Sequence, residues 1–145
     1  FSFYFLKTDN FMNTQDKHLD KKFLAYHYQG KVSEIKKGFT TFLSNIPEDI
    51  DEIMESLNHD NITKAKDKIQ QVIPMFLSIG LPLLSVQLQT IEVYLNYANI
   101  SKSKILMNIF IQELADYIPV IKDEYRRLIE GSIYQRSHTM ELELV

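Results

Sequence analysis

From Ile35 onward the apolar residues recur at steps of three and four, the period of a helix with one buried face. Ile35, Phe39, Phe42, Ile46, Ile50, Ile53 and Leu57 form the first long stripe and predict a helix near 33–58. Pro47 falls inside it without shifting the phase, so a single kinked helix is expected there, not two. The polar run "NHDN" breaks the pattern, and Asp60 is the expected N-cap of the next helix. Ile62, Ala65, Ile69, Val72, Phe76 and Ile79 carry that second helix, near 61–79, which Gly80 closes as a left-handed C′ residue. Pro82 suits the first turn of a third, near 82–97, with Leu84, Leu88, Ile91 and Leu95 as its stripe. After the loop "NYANISKS", Leu106, Phe110, Leu114 or Glu113, Tyr117, Ile121, Tyr125 and Leu128 predict a fourth, near 103–130, bent near Pro119. A short leading helix, about 19–28, reads through Leu19, Phe23 and Tyr26.

Four long helices joined by short loops bury their stripes best as an all-α, antiparallel up-and-down four-helix bundle, here with a short extra N-terminal helix. The expected organisation is an N-terminal extension over 1–18, the bundle over 19–130 and a C-terminal tail over 131–145. No strand pattern competes beyond the aromatic opening and "ELELV", which are too short to found a sheet.

One stretch admits a membrane reading. Between Lys68 and Glu92 lie 23 uncharged positions, enough to span a bilayer. Gln70, Gln71, Gln87 and Gln89 interrupt them, however, and Gly80–Pro82 cuts the run into two amphipathic halves. Hydrocarbon would strand those amides, whereas a helical hairpin leaves them wet. The stretch is therefore expected to be a core hairpin, with no membrane partner.

Composition narrows the field further. A chain of 145 residues with 45% hydrophobic and 24% charged residues has the make-up of one globular domain. Its net charge of −3 gives no basic field to recruit nucleic acid, so no nucleic-acid partner is expected. The absence of cysteine excludes disulfides, thiolate metal sites and thiol nucleophiles. The opening "FSFYFLKTDNFMN" lacks a basic n-region and a small-residue cleavage site, which makes it a poor signal peptide; Met12 reads as an alternative start. The tail "SIYQRSHTMELELV" is expected to be loosely held unless a contact orders it.

Catalytic chemistry is sparse. The four histidines, His18, His27, His59 and His138, show no i, i+4 pairing on any predicted helix, so neither a metal nor another cofactor is expected. Glu48–Asp49 and Asp51–Glu52 read as a solvated helix face in preference to an acid–base pair. "KAKDK", residues 64–68, reads the same way. There is no glycine-rich phosphate loop and no nucleophile elbow. The chain is not expected to be an enzyme.

The order of a short helix, a long helix, a loop, a hairpin closed at glycine and a last helix resembles the histidine-containing phosphotransfer (HPt) family of two-component phosphorelays. That family carries H-x-x-K-G on its central helix, a glycine ten residues after the histidine, and a glutamate in the next helix. Laid on "AKDKIQQVIPMFLSIGLPLLSVQLQTIE", the spacing puts Gly80 on the closing glycine and Glu92 on the glutamate. "LDKKFL", "QG" and "FTTFLSNIPEDIDEIMESL" resemble the family's upstream elements, and the similarity covers roughly 19–130.

The departures fall on the phosphoryl site itself. Gln70 stands where the resemblance expects the phospho-accepting histidine, Ile73 where it expects the lysine, and Pro74 where it expects the adjoining glycine. An amide nitrogen delocalised into its carbonyl is no nucleophile, whereas a neutral imidazole is one. The resemblance thus implies a cytoplasmic, non-catalytic signalling module that binds a response-regulator receiver domain or a histidine kinase without accepting phosphate. The expected partner-binding flank comprises Lys66, Asp67, Gln70, Gln71, Ile73, Pro74 and Leu77, an apolar centre within a polar rim. Ile73 and Leu77 have a plainer role open to them, as widening of the core stripe. Two other functions stay open at this point: a structural or self-associating bundle, with a homodimer as its partner, and an active phosphocarrier using His27 or His59.

Overall fold

The computed structural model describes the backbone of residues 17–143 and the side chains of 17–131. Among the described residues five helices follow one another: α1 (Lys21–His27), α2 (Val32–Asn58), α3 (Ile62–Ser78), α4 (Pro82–Asn96) and α5 (Ile100–Glu143). No strand occurs among the described residues. Helix α2 packs on α3, α3 on α4 and α4 on α5, and α5 returns to α2, so the four long helices enclose one interior.

The predicted stripes fill that interior, except that Ile62, Leu106, Tyr125 and Leu128 are half-buried at its edge. All seven apolar positions of the α2 stripe are buried, as are Ala65, Ile69, Val72, Phe76 and Ile79 around α3 and the four predicted positions of α4. On α5 the choice falls on Leu114, which is buried, while Glu113 is half-buried and accepts a hydrogen bond from Gln87 Nε2 at 2.9 Å. Phe42, Phe76 and Phe110 meet edge to face in the middle, with centroids 5.1 and 5.3 Å apart along the row. Such contacts add to the burial of the rings themselves.

The turns share one design. Each of the first four helices ends in a residue at positive φ: Gln29, Asp60, Gly80 and Ala98. At Gly80 the C′ amide bonds Leu77 O at 3.1 Å and the Leu81 amide bonds Phe76 O at 2.9 Å, the paired closure of a Schellman motif. Asp60 occupies the same place after α2, so it does not cap α3; Asn61 does, its side chain accepting from the Lys64 amide. Asp tolerates the left-handed region better than most residues, and the side chain one position later reaches the helix start. Gly80 is confined further, because a Cβ there would sit 3.1 Å from Asp20 O and 3.2 Å from Leu24 Cγ. The chain entering α1 crosses at that point, and the Asp20 amide bonds Gly80 O at 2.9 Å.

Three expectations shift. Tyr26 is 86% exposed, and α1 instead docks through Leu24 and the half-buried Phe23 and Tyr28. Helix α5 starts earlier than predicted because Asn99 Oδ1 accepts from the Lys102 amide within the apparent loop. It also runs on past Glu130, since Gly131 lowers helix propensity without supplying a turn. Pro47, Pro74 and Pro119 all lie inside continuous helices. The expectations for residues 1–16, and for His138, concern positions outside the described side chains.

Candidate functional site

All seven residues of the predicted flank lie on α3, within or near its exposed side. Asp67, Gln70, Gln71 and Pro74 are exposed, Leu77 is 38% exposed, and Lys66 and Ile73 are half-buried. Ile73 packs against the core, so the flank grades from core at Ile73 to open surface at Gln70, Pro74 and Leu77.

The neighbours of α3 orient this flank. Lys68 Nζ lies 2.9 Å from Asp49 Oδ1 and 3.0 Å from Glu52 Oε2, both on α2, which fixes the Lys68 side of α3 toward α2. Lys66, Gln70, Ile73 and Leu77, at helical steps of four and three, occupy the other side, toward α4. Pro74 adds a polar feature of its own. It has no amide hydrogen, so the Gln70 carbonyl cannot receive the usual i+4 bond within α3.

Titratable groups do not converge here. Among the described residues no group of three His, Asp or Glu side chains is placed to hold a metal ion. His27 is stacked on Phe23 at 5.2 Å and meets Tyr28 edge-on at 4.8 Å, while His59 caps α2 with Nδ1 2.8 Å from Glu55 O. Both histidines are exposed at helix ends and neither lies mid-helix; Gly30 and Lys31, which follow His27, lie in the turn between α1 and α2. The acidic face of α2 divides: Glu48 and Asp51 are exposed as expected, whereas Asp49 and Glu52 clamp Lys68. The basic run at 64–68 is thus not a uniformly wet face. Hydrogen bonds from Lys68 to the Asp49 and Glu52 carboxylates hold its ammonium above the ordinary lysine range.

One arrangement had no signal in the apolar periodicity. The Tyr28 hydroxyl donates to Ser78 O at 2.7 Å, linking the end of α1 to the end of α3 across α2. It passes over Gly38, where a Cβ would lie 2.7 Å from that hydroxyl. A glycine inside a long helix, otherwise costly, was the available clue. No helix among the described residues is long and apolar enough to cross a membrane. No known protein family, curated protein or solved structure matches the chain.

Proposed function

We propose that the chain is a non-catalytic signalling module of HPt type, an antiparallel up-and-down four-helix bundle with a short N-terminal helix. In this reading it binds a receiver or kinase domain of a two-component phosphorelay through the α3 flank and accepts no phosphate. The observation that carries the proposal is the placement of Gln70 and Pro74 on the open face of α3, with Ile73 and Leu77 beside them. That is where an HPt-type helix would present its histidine, lysine and glycine, and this chain offers an amide, a pyrrolidine ring and two aliphatic side chains instead.

The mechanism is occupancy. A receiver docked over Gln70 meets no nucleophile, because the amide nitrogen shares its lone pair with the carbonyl. It meets no cation at position 73 to draw a phosphoryl group in, and the Pro74 ring fills space a glycine would leave. What remains is apolar contact around Leu77, rimmed by Asp67, Gln70 and Gln71. Such a module competes with, or scaffolds, active carriers.

Two measurements test this. Incubated with a phosphorylated receiver, the full chain should acquire no acid-labile phosphate, and Gln70→His alone should restore little. A charge-assisted contact is worth about 1.5–3 kcal/mol, so the missing lysine alone slows transfer about ten- to a hundredfold. Receiver domains of the source organism should be retained by the wild type and lost with Leu77→Glu. Efficient labelling of the wild type, or no retained receiver, would refute the assignment.

A further inference from the structure

Helix α4 is apolar on two opposite faces. Leu84, Leu88, Ile91 and Leu95 are buried, yet Leu83, Val86, Val93 and Tyr97, at the other side, are between 51% and 80% exposed. Exposed Thr90 completes their row, and Glu92 is the only charged residue from Pro82 to Asn96. Solvent-facing helix surfaces ordinarily carry charge, and an apolar second face marks a surface that is covered. The row widens onto α5. Lys102 Nζ sits 6.0 Å over the Tyr94 ring, and Gln87 bonds Glu113, so the α5 residues between those links border α4. Two of them, Ile105 and Ile109, are 55% and 49% exposed.

The spacing of the row identifies its occupant. Positions 83, 86, 90, 93 and 97 step by three and four alternately, the seam of a helix that packs along another helix. The row is also symmetric about Thr90 to within one residue, with Val86 four positions before it and Val93 three after. Leu83 and Tyr97 stand seven residues to either side, and Val86 and Val93 lie between. An antiparallel copy related by a two-fold axis at Thr90 therefore sets Leu83 level with Tyr97 of the second copy and Val86 within one residue, about 1.5 Å of helix rise, of Val93, with the small threonine where the backbones come closest. That is the self-complementarity an isologous interface requires. With no charged side chain in the row, the pairing brings no like charges together. The area suffices: at on the order of 100 Å² presented by each of six apolar side chains, the pair buries roughly 1,200 Å², the lower edge of a stable interface.

We infer that the chain forms a homodimer through α4, antiparallel about Thr90, with Ile105 and Ile109 closing the edges. The inference concerns another helix than the α3 flank and stands or falls independently of it.

The test is the mass of the full chain in solution, by sedimentation velocity across the micromolar range. The expected species is a dimer of the 17.1 kDa chain. Thr90→Arg puts two guanidinium groups on the axis and should raise the dissociation constant by about a hundredfold or more, with an unchanged helical circular dichroism spectrum. The absence of native cysteine allows a second readout that needs no loss of binding. Thr90→Cys should cross-link to itself under mild oxidation, and Leu83→Cys should cross-link to Tyr97→Cys in a mixture of the two. A chain that stays monomeric throughout overturns the inference, as does a dimer indifferent to Thr90→Arg, or Leu83→Cys cross-linking to itself.

Discussion

The flank of α3 that faces α2 and the flank that faces α4 are built from different chemistry. Toward α2, Lys68 is gripped by Asp49 and Glu52, and at the far end Tyr28 reaches across Gly38 to the Ser78 carbonyl. Toward α4 there are Ile73 and Leu77, and among the described residues no side-chain hydrogen bond or ion pair joins the two helices. No polar side chain of α4 bonds α3 either. Gln87 turns to α5, while Ser85 Oγ and Glu92 Oε2 are buried without a partner. Directional bonds fix rotation and register, whereas apolar contact tolerates sliding and exchange of neighbours. The α2 side thus frames the helix, and the α4 side is the one that the proposed function assigns to a partner.

The largest effect is expected from a carboxylate placed at either of two points along the apolar flank. Ile73 packs on the core, so Ile73→Glu should cost about 2–3 kcal/mol, because a charge there loses water without gaining a partner. For a chain of this length that lowers the thermal midpoint by roughly 5–10 °C. Leu77→Glu, at an exposed site, should stay within about 0.5 kcal/mol of wild type while abolishing partner binding. Thermal melts of both variants decide the matter. Equal large losses would make Leu77 core and remove the graded surface on which the proposed function rests.

The α2 side has its own test, smaller and with a change of sign. Gly38→Ala improves helix propensity by about 1 kcal/mol, but the new methyl collides with the Tyr28 hydroxyl and displaces its bond to Ser78 O. The single change should therefore destabilise, by about 1 kcal/mol net. The ring carbon that carries the hydroxyl lies 3.5 Å from the same point, an ordinary contact. In a Tyr28→Phe background, then, Gly38→Ala should become stabilising. Urea unfolding of the four proteins in the cycle measures the coupling. Additive effects would show that the hydroxyl is not what keeps position 38 a glycine.

This asymmetry also marks how far the sequence is legible. The stripes of α2, α3 and α4 were readable because burial on one face imposes a strict period, and every predicted core position of α2 is buried. Termini were less readable. Asn61 and Asn99 cap helices by a single side-chain oxygen, a signal no stronger than that of neighbouring Asp60. Tyr26 and Tyr28 are chemically alike, but Tyr28 shares the face of buried Leu24 four residues before it, and Gly38 leaves room for its hydroxyl. That Gln70, Pro74 and Leu77 share one exposed side of α3 followed from spacing along the helix, whereas its reading as a partner surface rested on the resemblance. Which cations it lacks, and that Lys68 is spent on α2, depends on residues remote in the chain.

The smallest effect tests the difference between the two flanks through charge alone. Lys68→Met keeps the apolar stem and removes the ammonium, leaving Asp49 and Glu52 side by side without their shared cation. With a side chain 21% exposed, the clamp should be worth about 1 kcal/mol, in line with well-placed ion pairs near a surface. Its pH dependence follows from the raised affinity of folded Lys68 for its proton. A folded-state value above that of the unfolded chain means the contribution is complete below the ordinary lysine value of 10.5 and disappears as pH rises through the folded value. The stability gap between wild type and Lys68→Met should therefore hold from neutral pH to about 9 and close above 10.5, since other alkaline titrations are common to both proteins. High salt should narrow the gap at neutral pH. A gap that persists unchanged at strongly alkaline pH would trace the effect to packing of the lysine stem, and the α2 side of the helix would then differ from the α4 side in shape and not in charge.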